Sequence, residues 1–179
     1  MLDPSSWVVR FAALLKPGGR VLDLACGSGR HSILLASLGF DVLGVDLKPD
    51  ALALARLSAI GLKENMPQFL ESDLEGSMWP LPSSIYGYWD GIVVTNYLYR
   101  PFLALLPQLL NANGLLIYET FALGNAQFGK PASPEFLLKP GELLQLAEQT
   151  GLQVVAFEDL FTAQPKPAMV QRLCAKKPA

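Results

Sequence analysis

The run Val21-Leu-Asp-Leu-Ala-Cys-Gly-Ser-Gly-Arg30 holds the residues best placed to do chemistry. A short apolar stretch suited to a buried strand leads straight into Gly27-Ser-Gly29, and a helical pattern follows. Glycine permits a tight turn and lets the backbone approach a ligand closely. The first turn of a helix presents N–H groups that have no partner within the helix. Turns of this kind are where open α/β sheets hold nucleotides. Gly-x-Gly alone is equally compatible with a plain tight turn. Asp46 breaks the tie. It stands 23 residues after Asp23, at the end of a second strand-like run, Asp41-Val-Leu-Gly-Val45. A carboxylate there can accept both hydroxyl protons of a ribose in charge-assisted hydrogen bonds. It can also cap the next helix, and one side chain can do both.

The nucleotide is narrowed by charge. A dinucleotide fingerprint requires a third glycine, and Ser32 occupies that position. Asp23, four residues before Gly27, would repel a pyrophosphate and suits a ligand that carries an ammonium. S-adenosyl-L-methionine has a ribose, an adenine, a zwitterionic amino-acid tail and a sulfonium, with no phosphate. The sign of the charge favours it over NAD.

With these residues in view, the chain resembles the class I S-adenosylmethionine-dependent methyltransferases. Leu22-Asp-Leu-Ala-Cys-Gly-Ser-Gly29 is similar to their first motif and Val45-Asp46 to their ribose-binding acid. Glu71-Ser-Asp73-Leu74, Thr95-Asn-Tyr97, Gly114-Leu-Leu-Ile-Tyr118 and Phe136-Leu-Leu-Lys-Pro-Gly-Glu142 extend the likeness over most of the chain. Within that family the small tellurite-resistance-type methyltransferases look nearest. The resemblance implies that Gly27 and Gly29 cradle the amino-acid end of the cofactor, with Asp23 beneath. It implies that Asp46 holds the ribose, that Leu47 packs on the adenine, and that Asp73 and the Leu74 N–H meet the adenine edge. Glu71 and Glu75 are rivals to Asp73. Thr95 would border the methyl-transfer site.

Methyl transfer from a sulfonium releases a neutral leaving group, so alignment of nucleophile, methyl and sulfur is the main requirement. Alignment can supply roughly 7–11 kcal/mol. Candidates at the rim follow the fourth and fifth strands: Tyr97, Tyr99 and Arg100, then Glu119, Thr120 and Phe121. The tyrosines serve equally as loop packing. Arg100 suits an anionic substrate or a helix start at Pro101. Glu119 suits a base or an ion pair with an arginine. Asn96 is not followed by the Pro-Pro-aromatic sequence associated with amino-group methylation of adenine or glutamine. His31, the only histidine, reads as a polar residue at a helix start. One histidine and two distant cysteines give no metal-ligand spacing, and Cys26 reads as inert packing.

The elements that must position these residues alternate. Helices are expected over 6–15, 30–38, 50–60, 102–110 and 141–148. Strands are expected over 20–25, 41–45, 68–71, 91–95, 114–118, 153–157 and 169–175. The expected fold is α/β: Rossmann-like and doubly wound, a mostly parallel seven-stranded sheet with an antiparallel last strand and helices on both faces. The last two strands have no helix between them and should pair antiparallel. Residues 76–88 read as loop. Residues 121–140 form a long loop with Phe121, Phe128 and Phe136 in or beside it, expected to fold as a lid over the substrate side.

Whole-chain properties set the class. At 179 residues, 51% hydrophobic and 17% charged, the chain suits one compact domain spanning 1–179. A net charge of −2 offers nothing to a phosphate backbone, so no nucleic-acid partner is expected. No apolar run is long enough to span a bilayer, no signal peptide is read at the start, and Cys26 and Cys174 make no disulfide framework. A cytoplasmic protein with no membrane partner follows. About 19 residues precede the first strand and no domain is inserted, which favours a small-molecule methyl acceptor as partner. Two other classes compete: a non-catalytic S-adenosylmethionine-binding regulatory module, and an NAD-dependent oxidoreductase. The absence of a Tyr-x-x-x-Lys pair counts against the oxidoreductase.

Overall fold

The computed structural model describes residues 3–62, 64–76, 78–82 and 88–179. The elements in chain order are α1 (Ser6–Ala12), β1 (Arg20–Leu24), α2 (Arg30–Ser37), β2 (Asp41–Asp46), α3 (Pro49–Ala59), β3 (Gln68–Glu71) and β4 (Trp89–Thr95). A 3-10 stretch (Arg100–Leu105), α4 (Leu106–Leu109), β5 (Leu110–Phe121), α5 (Glu142–Thr150), β6 (Gln153–Thr162) and β7 (Ala168–Lys176) follow. The seven strands form one sheet in the order β3-β2-β1-β4-β5-β7-β6. β1 to β5 run parallel, and β7 lies antiparallel between β5 and β6. This is the expected doubly wound sheet. Its order reverses between β1 and β4, where a crevice opens at the carboxyl ends of the strands.

Two apolar layers hold the sheet. Alternate residues of β1, β4 and β5 point to opposite faces. Val21, Val93, Leu115 and Ile117 meet Trp7, Val8, Phe11, Leu35 and Ala36 of α1 and α2. Leu22, Ile92, Val94 and Leu116 meet Leu103, Leu106, Leu109, Leu143 and Leu146 on the other face. β4 is buried along its whole length, as a central parallel strand covered on both sides must be. Ser5 caps α1, its side chain accepting from the Trp7 N–H at 3.1 Å.

Three expectations change. The stripe from Phe102 to Leu110 is not one helix, because Pro107 lacks an N–H and its ring crowds the Leu103 carbonyl. The segment splits into the 3-10 stretch and the single turn α4, and Leu110 opens β5. β6 runs on to Thr162, because Glu158 and Asp159, which break its apolar run, each find a partner on β7. The 121–140 loop is ordered. It contains 3-10 turns at Asn125–Gln127 and Pro134–Phe136, and Ala122 bridges Leu138. Phe128 packs on Phe161 of β6, ring centroids 5.0 Å apart, so that part of the loop leans on the far edge of the sheet. Within the 76–88 segment read as loop, residues 77 and 83–87 lie outside the described residues. No helix among the described residues is long and apolar enough to cross a membrane.

Candidate active site

At the carboxyl tip of β1 the chain turns through Ala25 to Gly29 before entering α2. Gly27 has φ +55° and a β-carbon there would meet nothing within 4 Å, so its missing side chain leaves open space in the turn. Gly29, at φ +79°, is different: a β-carbon would lie 2.9 Å from the Ala55 Cβ and 3.1 Å from the Phe69 ring. Gly27 is the cradle position, and Gly29 lets α2 pack against α3 and β3. Asp46 ends β2 beside this turn. The Gly27 N–H donates to its Oδ2 at 2.7 Å and the Lys48 N–H to its Oδ1 at 2.9 Å. Each carboxylate oxygen has two acceptor directions, so lone pairs remain for a ribose diol. Leu47, next in the chain, is 56% exposed and offers apolar surface beside it.

Asp23 lies beneath the turn, 1% exposed. Its Oδ2 accepts from the Ser32 hydroxyl at 2.6 Å, while its buried Oδ1 has no partner. Burial pushes its pKa up to about 7, against the opposing pull of Ser32 and Arg30. An unpartnered carboxylate oxygen fits a ligand that brings a cationic donor, and an open glycine turn beside a carboxylate fits a ribose. The residues present therefore suit S-adenosylmethionine better than a pyrophosphate. Asp73 is exposed past β3, its Oδ1 accepting from the Glu75 N–H at 2.8 Å, and Leu74 is buried next to it. Thr95, at the tip of β4, hydrogen-bonds His31 across 3.3 Å.

Past the tips of β4 and β5 the surroundings are aromatic. A narrow cleft with a free volume of about 20 Å³ is lined by Leu74, Trp79, Tyr97, Tyr99, Phe102 and Tyr118, among others. Phe102 makes edge contacts with Trp79 and Tyr99. Tyr97 donates to the Leu74 carbonyl at 3.4 Å, and Tyr118 donates to the Tyr97 carbonyl at 2.8 Å, fixing the turn after β4. Burial, with the negative charge of Glu75 and Asp73, raises the Tyr97 pKa above the ordinary phenol range.

Arg100 and Glu119 sit differently. Arg100 forks onto Glu142 at 2.7 and 2.9 Å and donates to the Glu135 and Leu137 carbonyls. It ties the 134–138 turn and the start of α5 to the exit of β4. Glu119 points to the α1 face, where Arg172 pairs with it at 2.5 Å and with Glu158 at 2.9 Å. Both side chains are committed to ion pairs, and only Tyr97 of the three candidates lines the cleft. Sequence reasoning missed Tyr118, which sets the Tyr97 backbone. It also missed Gln171, whose amide joins the Leu143 N–H, the Lys139 carbonyl and Asp159. Burial pushes the Cys26 thiol pKa far up, which suits packing.

Residues 21–101 match the methyltransferase-domain family. YqeM of Bacillus subtilis, provisionally named a methyltransferase, is 34% identical over 88 residues, covering 49% of this chain and 33% of its own length. The ribosomal protein L11 methyltransferase of Thermus thermophilus is 41% identical over 85 residues, 46% of this chain and 30% of that protein. The match thus spans about a third of the length of these relatives. Among solved structures, TehB from Haemophilus influenzae has a TM-score of 0.79 at 20% identity, over 97% of this chain and 62% of that one. A SAM-dependent methyltransferase from Methanosarcina mazei has a TM-score of 0.73 at 18% identity, over 99% of both chains. At such identities the likeness is one of fold.

Proposed function

We propose, from the methyltransferase-domain match over residues 21–101 and the fold shared with S-adenosylmethionine-dependent methyltransferases, that this chain is a class I methyltransferase that transfers the cofactor's methyl group to a small-molecule acceptor by in-line displacement at the sulfonium. The observation that carries the reading is the pairing of Asp46 with the open turn at Gly27. The cofactor supplies an electrophilic methyl and leaves as a neutral thioether. Asp46 holds the ribose, Leu47 covers the adenine, Asp73 and the Leu74 N–H meet the adenine edge, and Asp23 takes the ammonium. Tyr97 and the aromatic cleft orient the acceptor.

The side chains around the cleft narrow the acceptor. The guanidinium of Arg100 is engaged by Glu142 and two carbonyls, so it offers an anionic substrate little. Glu119 is ion-paired, Tyr97 is held protonated, and both ring nitrogens of His31 are hydrogen-bonded, which leaves none of the three positioned as a free base. An acceptor that reacts without losing a proton in the transition state, such as a neutral or already ionised soft nucleophile, fits these residues best. The two free buried cysteines suit a reducing, cytoplasmic compartment.

The test is S-adenosylhomocysteine formation against a panel of small thiols, amines, carboxylates and oxyanions, with ribosomal RNA and ribosomal protein as polymer controls. Turnover of small acceptors is expected. Turnover of the polymers alone would overturn the acceptor class, and tight cofactor binding with no turnover by any acceptor would favour a regulatory module.

A further inference from the structure

The only histidine of the chain connects the N-terminal segment to the rim of the site. The Ser5 N–H lies 3.0 Å from His31 Nε2, and the Arg30 guanidinium donates to the Asp3 carbonyl at 3.0 Å. A backbone N–H can only donate, so Nε2 must carry a lone pair. A neutral imidazole with Nε2 as acceptor bears its proton on Nδ1. Nδ1 stands 3.3 Å from Thr95 Oγ1, so the hydroxyl accepts there and keeps its own hydrogen for another partner. His31 is 1% exposed, and burial together with Arg30 lowers its pKa to about 3, which keeps the ring neutral. The register of β1 and β4 ends with Leu24 beside Val94, so Thr95 follows the last pair on β4 as Ala25 begins the glycine turn after β1. The Arg30 charge acts on both His31 and Asp23.

We propose that His31 is a positioning residue that holds the Thr95 hydroxyl as a hydrogen-bond donor toward the carboxylate of the cofactor's amino-acid end, and so makes docking of residues 3–6 part of cofactor binding. This rests on the methyltransferase reading. In this arrangement the Thr95 hydroxyl would serve the carboxylate, and the unpartnered Asp23 Oδ1 would take the ammonium of the same ligand end. A hydroxyl whose polarity was unset could rotate its hydrogen to the imidazole instead and offer the carboxylate only a lone pair. The relay from Ser5 prevents that.

The single histidine makes the first arm direct, because imidazole ¹⁵N spectra of the whole chain report one ring. The expected result is a neutral ring with hydrogen on Nδ1 that does not titrate between pH 5 and 8. Hydrogen on Nε2, or titration near the ordinary histidine value, overturns the relay whether or not cofactor binds. The second arm is calorimetry with S-adenosylmethionine and with 5′-methylthioadenosine, which lacks the amino-acid end. Thr95→Val and His31→Gln should each weaken S-adenosylmethionine about tenfold, the scale of one hydrogen bond to a charged group. Methylthioadenosine should be unaffected. His31→Asn, whose shorter amide cannot also accept from the Ser5 N–H, should weaken S-adenosylmethionine to a similar extent. Equal losses with both ligands would mark a merely structural role and overturn the proposal, as would unchanged affinities. Wild-type protein that binds neither ligand would contradict the methyltransferase reading itself.

Discussion

At Gly27 a β-carbon would meet open space, whereas at Gly29 it would press on Ala55 and Phe69. Gly27→Ala is therefore expected to cost only the left-handed backbone strain, roughly 1–2 kcal/mol, and to weaken cofactor binding. Gly29→Ala adds overpacking of roughly 1–3 kcal/mol, so urea unfolding should rank it as the more destabilising change. Comparable midpoints would contradict the assignment. Asp23 and His31 give the fold opposing pH dependences. The carboxyl of Asp23, raised from 3.8 to about 7, holds its proton better folded than unfolded. Its contribution is fully present below about 3.8 and is lost as pH rises through 7. His31, lowered from 6.5 to about 3, contributes fully above 6.5 and loses that contribution as pH falls toward 3. Asp23→Asn should consequently raise the stability more at pH 8 than at pH 5, measured as the denaturation midpoint. Equal changes at both would show that the carboxyl titrates normally. The glycine turn and Asp46 were legible because their chemistry sits on short, contiguous runs. The partners of His31, Glu119 and Tyr118 lie 26, 53 and 21 residues away, and no local pattern announces such pairings.

Elements explain why two charged rim candidates are held in ion pairs. Glu119 leaves β5 toward the α1 face because strand residues alternate, and Arg172 of β7 lies directly opposite it. With side-chain exposures of 11% and 14%, the pair is largely out of water. Glu119→Ala should lower stability by about 1–3 kcal/mol, the scale of a charged hydrogen bond, because Arg172 keeps Glu158 as a partner. Cofactor affinity should change little in the fraction that remains folded. A selective loss of turnover with unchanged stability would return Glu119 to the catalytic machinery. Arg100 ties three elements together, so Arg100→Met should free the 134–142 segment. The Lys139 amide, which donates to Glu142 at 2.8 Å, should exchange faster by mass spectrometry. Unchanged protection would mean the clamp is dispensable. The apolar periods predicted most strands and helices. They failed where a proline interrupted a good stripe, as at Pro107, and where charged residues in β6 were satisfied by partners on β7.

For the whole molecule, the sheet order places the tips of β1, β2 and β4 side by side, and the proposed cofactor residues stand on them. The acceptor cleft lies on the opposite face of β4 from His31, under the 3-10 stretch and the turn after β3. On the proposed roles, changes in the aromatic cleft should alter acceptor choice without disturbing the Asp46 turn. The net charge of −2 and the engaged Arg100 both argue against a polyanionic acceptor. The most direct test of the central claim is calorimetric titration of S-adenosylmethionine into the wild-type chain and into Asp46→Ala. The account predicts binding that the substitution weakens by one to two powers of ten, roughly 1.4–2.8 kcal/mol. No binding by folded wild-type protein, or equal binding by both, would contradict it.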